Sequence, residues 1–309
     1  MKKYQKIVLA GGNGYLGTVL SEYYRDLANE IIILSRKPNV TNGNVKTLVW
    51  DGRTAGEWMT TLESADMLVN LCGKNVNCRY TKANREEIIN SRVIPTKLLS
   101  RVIEKMQNPP KLWINLSSAT IYRHAEDRPQ DEITGDIGYG FSIDVCKQWE
   151  AAFYEADTPH TRKIALRMGI VLGMADGAFP RLFTLVKFGL GGRLGDGKQY
   201  LNWVHEQDAA RCTEFLLQHT ELEGNINCTA PVPIQNAAFM TTLRKAWGIP
   251  FGLPTPAWLL SIGMAIIGSE RELLLKSRWV VPKRLLDAGY QFMFAEAEYA
   301  IKDLLSIAK

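Results

Sequence analysis

The segment Leu9–Gly17 reads LAGGNGYLG and limits the fold more than any other stretch of the chain. It follows a short apolar run, Lys6–Ala10 (KIVLA), and opens a stretch with helical spacing, Tyr15–Leu27. Gly11, Gly14 and Gly17 are therefore spaced GxxGxxG between a strand and a helix. Gly11 permits the tight turn, Gly14 lets a pyrophosphate reach the backbone, and Gly17 lets helix and strand pack closely. The helix N-terminus adds free N–H groups and a partial positive charge for phosphate. Turns also collect glycine, but the strand–loop–helix order points to a dinucleotide site that takes in Asn13, Tyr15 and Leu16.

The next 150 or so residues repeat that order. Glu30–Leu34, Thr47–Trp50, Met67–Leu71 and Leu112–Ser117 are apolar runs suited to parallel strands buried on both faces, and Lys163–Leu172 adds another. Tyr15–Leu27 and Thr81–Lys105 carry helical spacing between them. Alternating strands and helices predict an α/β fold, a Rossmann-type doubly wound parallel sheet. After Gly173 the texture changes. Gly189–Gly197 is a glycine-rich loop, Trp203–Val204 a short strand, Gln207–Thr220 a helix, Pro231–Pro233 a turn and Asn236–Trp247 another helix. The expected division is 1–172 as the dinucleotide-binding domain, with segments near 201–235 returning to it, and 173–309 as a smaller, mostly helical C-terminal lobe for substrate.

Composition narrows the partners. A net charge of +5 with no block of five like charges gives no nucleic-acid groove. The 4 His and 5 Cys form neither CxxC nor HExxH, so no metal is expected, and the odd Cys count suits a reducing, cytoplasmic setting. The basic start MKKYQKIVLAGG reads as strand one and not as a signal peptide. The longest apolar stretch, Ala257–Gly268, is too short to span a bilayer, so no membrane partner is expected. A homodimer is compatible with the sequence, which does not specify assembly.

The end of strand two selects the cofactor. Sites for NAD place an acid there to hold the ribose 2′-OH, whereas NADP sites use Arg. Here IIILSRKP puts Ser35 at the acidic position, followed by Arg36 and Lys37. A carboxylate would repel a 2′-phosphate, and Arg36 can grip it with two charge-assisted hydrogen bonds. Two basic residues could also merely solvate a loop. The balance favours NADP(H) over NAD(H).

With those residues placed, the chain resembles the extended short-chain dehydrogenase/reductase superfamily, and within it the atypical branch called epimerase family proteins, some of which carry a cell-division-inhibitor label. The resemblance runs through GGNGYLG, NLCGKNV (Asn70–Val76), NSRVIPT (Asn90–Thr96), NLSSATIY (Asn115–Tyr122), WEAA (Trp149–Ala152), LRMGIVLG (Leu166–Gly173), GDGKQYLNWVHEQD (Gly195–Asp208), NCTAP (Asn227–Pro231) and VPKRLLDAGYQF (Val281–Phe292). It implies that Asp51, Leu71, Cys72, Gly73, Arg167 and Met168 join the cofactor site.

Such enzymes use a Ser to orient the substrate oxygen, a Tyr to move its proton, and a Lys one helical turn later that lowers the Tyr pKa and holds the nicotinamide ribose. Ser118 fits the Ser, although a strand-end Ser bonded to backbone would read the same way. The Tyr–Lys pair is missing: Phe141 stands at the Tyr position and Val145 at the Lys position. Tyr139, in the other register, has Ile143 four residues on, and Lys147, eight residues on, lies ~80° round the helix. Tyr122 and Tyr139 are the candidate replacements, whereas His124 reads as a solvated residue and His205 as a structural one. Lys198, Gln199 and Trp203 could line a substrate cleft beside the glycine-rich loop, and Arg278 could meet an anionic substrate or simply be solvated. Two functions remain open: an NADP(H)-dependent reductase or epimerase acting on a small polar substrate such as a nucleotide sugar, or a cofactor-binding regulator acting through protein contacts.

Overall fold

The computed structural model describes residues 2–37, 41–259 and 275–307. Its centre is a sheet of seven parallel strands: β1 (Tyr4–Ala10), β2 (Ala28–Ser35), β3 (Val45–Val49), β4 (Met67–Asn70), β5 (Leu112–Ser118), β6 (Arg162–Met168) and β10 (Gly224–Cys228). Their order in the sheet is β10-β6-β5-β4-β1-β2-β3. The chain leaves β1 toward β3 and returns on the other side at β4, so the loops after β1 and β4 diverge at a topological switch point. Open α/β sheets bind ligands at such a crevice.

Strand residues alternate between two cores because successive side chains point to opposite faces. Ile7 and Leu9 of β1 pack with Leu20 and Tyr24 of α1 (Tyr15–Tyr24) and with Leu216 of α5 (Glu206–Gln218). Val8 and Ala10 face the other way, toward Leu98, Leu99 and Ile103 of α2 (Lys82–Ile103) and Phe153 of α3 (Phe141–Tyr154). A third core gathers Phe179, Phe183 and Val186 of α4 (Ala178–Lys187), Phe239 and Leu243 of α6 (Asn236–Trp247), and Ile301 and Leu304 of the C-terminal α8 (Ala297–Ser306). A short α7 (Lys283–Asp287) packs beside β10.

The expected strand Lys163–Leu172 is two strands. It breaks at Gly169, whose N–H donates to the Cys228 carbonyl at 2.9 Å, and β7 (Ile170–Leu172) then leaves the sheet to pair in parallel with β9 (Trp203–His205). The edge strand β10 lies within the stretch 201–235 expected to return to the first domain, although the polar sequence GNINC gives no strand signal there, and it pairs on one side only, with β6. Two-residue strands β8 (Tyr200–Leu201) and β11 (Ile234–Gln235) pair antiparallel at the start of α6. No helix among the described residues is long and apolar enough to cross a membrane. Most of the apolar stretch Ala257–Gly268 lies outside the described residues.

Candidate functional site

The glycine loop turns at Gly11, which adopts φ +75°. A Cβ on Gly17 would lie 2.1 Å from the Gly12 carbonyl oxygen, so only glycine lets α1 start this close to the loop. A Cβ on Gly14 would meet nothing within 4 Å. Gly14 is the N-cap of α1 and brings no capping side chain, and the first turn carries no acid. The positive end of α1 is thus left for a ligand, in open space over Gly14. Leu16 packs on the sheet core, and the Tyr15 hydroxyl donates to Glu206 at the start of α5.

Asn13 crosses from this loop to the end of β2. Its amide donates to Ser35 Oγ and, at 2.6 Å, to the Lys37 carbonyl, while the Lys37 N–H donates to Ser35 Oγ at 3.1 Å. Ser35 therefore shapes the turn that holds Arg36 and Lys37 at the surface, with both side chains exposed. Asp51, after β3, is occupied by its own turn: its carboxylate accepts from the Arg53 and Thr54 N–H groups at 2.7 and 2.9 Å, which hold it below the usual carboxylate range.

Beyond the switch point lies a cavity of about 260 Å³. Leu71, Cys72 and Gly73 line it from the β4 loop, Tyr80 and Arg92 from the connection to α2 and from α2 itself, and Ser117, Ser118 and Thr120 from the end of β5. Phe141, Ser142, Val145, Cys146 and Trp149 close it from α3. Phe141 and Val145 do share the inward face of α3, as residues four apart on a helix should. The Phe141 ring meets Tyr80 edge-on at 4.7 Å, and the Tyr80 hydroxyl lies 3.5 Å from Ser142 Oγ. Ser118 Oγ accepts from the Thr120 N–H at 3.2 Å. Burial pushes the Cys72 thiol up to about 12, with Arg36 and Arg92 pulling the other way, so it stays protonated at neutral pH.

Several expected residues lie elsewhere. Tyr122 is buried, its hydroxyl between Asn227 Oδ1 at 3.1 Å and Arg167 Nη1 at 2.9 Å, so it does not reach the cavity. Burial raises its phenol pKa, with Arg167 opposing. Tyr139 is 89% exposed, two residues before α3 and outside the cavity lining. Arg167, expected at the cofactor, has its guanidinium engaged within the protein. Its Nε and Nη2 bind Glu150 at 2.9 and 2.8 Å, and Nη1 donates to Tyr122, so each guanidinium nitrogen is engaged inside the protein. Met168 is buried in the sheet core.

The substrate candidates also disperse. Trp203 is buried in the C-terminal core, and Gln199 is buried with its amide donating to the Leu194 carbonyl at 2.9 Å. Neither lines the cavity. Arg278 is buried, against the solvated alternative, and its backbone N–H donates to the Tyr200 carbonyl. Lys198 is exposed. His205 is the structural residue expected: it caps α5 by accepting from the Gln207 N–H at 3.2 Å. His124 has a half-exposed side chain and accepts from the Ser277 N–H at 3.1 Å. Tyr80, Arg92 and Ser142 were missed because they lie on segments whose folding back over β4 and β5 no local spacing records.

Comparison with known proteins agrees with the fold. Epimerase family protein SDR39U1 of Homo sapiens is 31% identical over 307 residues, covering 97% of this chain and 100% of that protein. Epimerase family protein YfhF of Bacillus subtilis is 29% identical, covering 98% and 99%. The crystal structure of the human protein (isoform2) with NADPH superposes with a TM-score of 0.87 at 29% identity, covering 98% and 99% of the two chains. Residues 255–304 match a domain of unknown function, DUF1731. Residues 7–228, from β1 through β10, match the NAD dependent epimerase/dehydratase family, and this chain belongs to that family.

Proposed function

We propose that the protein binds NADP(H) along the switch-point crevice and uses it on a small polar substrate held over the cavity. The turn at the end of β2 carries the reading: Ser35 stands where an acid would select NAD, and Arg36 and Lys37 are exposed beside it. The open space over Gly14 and the uncapped α1 N-terminus suit the pyrophosphate, and the human relative's structure holds NADPH. Arg36→Ala is expected to weaken NADPH binding by about 1.5–3 kcal/mol, the worth of hydrogen bonds to a charged group, and to leave NADH unchanged. Calorimetric titration checks this; equal NADPH and NADH affinities in the wild type would refute the preference.

When bound, the cofactor would supply or accept a hydride, and the chain would have to orient the substrate and manage a proton. Ser118 Oγ takes the Thr120 N–H as acceptor, which leaves its own proton to donate toward a substrate oxygen. Tyr80 is the tyrosine that lines the cavity, with Ser142 beside its hydroxyl, so it is placed to exchange a proton with that oxygen. Tyr80→Phe should then lower turnover of a carbonyl or sugar-nucleotide panel 10²–10⁴-fold, the usual worth of general acid–base help. NADPH affinity should stay as in the wild type. Stopped-flow monitoring of NADPH absorbance reads the first and calorimetry the second.

A second reading has an observation of its own. Phe141 and Val145 put an apolar wall where relatives of the standard type are protic. A cofactor-binding regulator would need no proton donor there. It would show tight NADPH binding, no turnover of any panel member, and no response to Tyr80→Phe.

A further inference from the structure

Arg92 is the one charged side chain lining the cavity among the described residues. Its guanidinium is held from three sides. Nη1 donates to the Ile88 carbonyl at 2.9 Å, one turn back along α2. Cζ lies 5.1 Å from the centroid of Trp149 on α3. On the third side is Gly73, where a Cβ would come within 2.9 Å of Cζ, so the glycine leaves room for the group. Apart from Nη1, its donors reach no group among the described residues.

Among the described residues no carboxylate answers this charge. Arg92 forms no ion pair among the described residues, and the groups acting on it are the thiols of Cys146 and Cys72 and the phenol of Tyr80. A half-buried guanidinium that lines a cavity, with no counter-charge among the described residues and donors left unused, suits a ligand that supplies the oxygens. Arg167, which is buried, shows the contrast, being saturated by Glu150 and Tyr122. Arg92 lines the same cavity as Val145, which occupies the place of the usual Lys.

We propose that Arg92, carried on α2, donates to the ribose and phosphate oxygens of the nicotinamide mononucleotide half of the cofactor, the task that a lysine on α3 performs where that lysine is present. This rests on the NADP(H) reading above. The planar fork of Arg suits vicinal hydroxyls or a phosphate, and its stacking on Trp149 fixes the approach.

Two ligands separate this role from general damage: NADPH, and adenosine 2′,5′-bisphosphate, which lacks the nicotinamide half. Arg92→Met should weaken NADPH roughly 10- to 100-fold, the loss expected for charge-assisted hydrogen bonds. Binding of the bisphosphate should stay as in the wild type, which also shows that the fold is intact. Arg92→Lys keeps the charge without the fork and should lose less than Arg92→Met. Unchanged NADPH affinity in Arg92→Met, or parallel loss of both ligands, overturns the assignment. A wild type that binds the bisphosphate but not NADPH overturns it as well, while leaving the adenosine site standing. A wild type that binds neither refutes the NADP(H) reading itself.

Discussion

Gly14→Val is expected to give a protein that folds normally and does not bind NADPH. A Cβ at this position meets nothing within 4 Å, so the native chain has room for a branched side chain, and φ −86° with ψ 175° is extended backbone open to valine. The same space is where a pyrophosphate must approach the N–H groups of α1. Two added methyl groups would hold the phosphates away from those donors, and the loss should exceed 100-fold, about 2.7 kcal/mol. Gly17→Val is the contrast. Its Cβ would lie 2.1 Å from the Gly12 carbonyl oxygen, so α1 must shift off β1 and stability falls together with binding. Circular dichroism and thermal melting read the fold, and calorimetry reads the ligand. If Gly14→Val binds NADPH as the wild type does, the phosphate site is elsewhere.

The glycine loop was legible because everything that defines it is local. Strand, turn and helix succeed one another within Lys6–Tyr24, and Gly17 answers to Gly12, a few residues away. The parallel strands were legible for a related reason. Burial on both faces requires continuous apolar runs, and β1, β2, β4 and β5 have them. β10 escaped notice because an edge strand needs fewer apolar side chains, and GNINC offers Asn225 and Asn227 in alternation. The cavity was half legible. Leu71, Cys72 and Gly73, which the resemblance assigns to the cofactor, and Ser118, which it assigns to the substrate oxygen, all line it, and periodicity puts Phe141 and Val145 on one helix face. Which tyrosine faces inward was not readable. Tyr80 precedes α2 by a short turn, and only the packing of Phe141 against its ring brings it over the cavity. Tyr122 stands in the expected segment, yet its side chain points away to Asn227 and Arg167. Arg167 and Arg92 illustrate the same limit. Sequence supplies one arginine near a strand end and one within α2, and the difference between a saturated ion and an open one depends on Glu150, which reaches Arg167 from another element.

Glu150→Ala is expected to cost about 3–5 kcal/mol, the penalty for leaving one partner of a buried ion pair without its counter-charge. Glu150 and Arg167 are both buried, with side chains 10% and 6% exposed, and their pairing is bidentate at 2.9 and 2.8 Å. Removing the carboxylate also strips Ser117 Oγ of the acceptor it meets at 2.6 Å, and Ser117 precedes Ser118 at the end of β5. Urea unfolding of the variant should therefore show a lower midpoint. The double variant Glu150→Leu/Arg167→Met should recover most of the loss, since desolvating two charges offsets much of what their attraction returns. A cost below about 1 kcal/mol for Glu150→Ala would mean that water replaces the carboxylate, and the pair would then be no fixed strut between α3 and β6. If the double variant regains stability and still binds adenosine 2′,5′-bisphosphate but NADPH more weakly, the ion pair's service is to hold β5 and α3 at the spacing the cavity requires. Its retention would then follow from the geometry of Ser118, Tyr80 and Arg92 around the nicotinamide end, and not from stability.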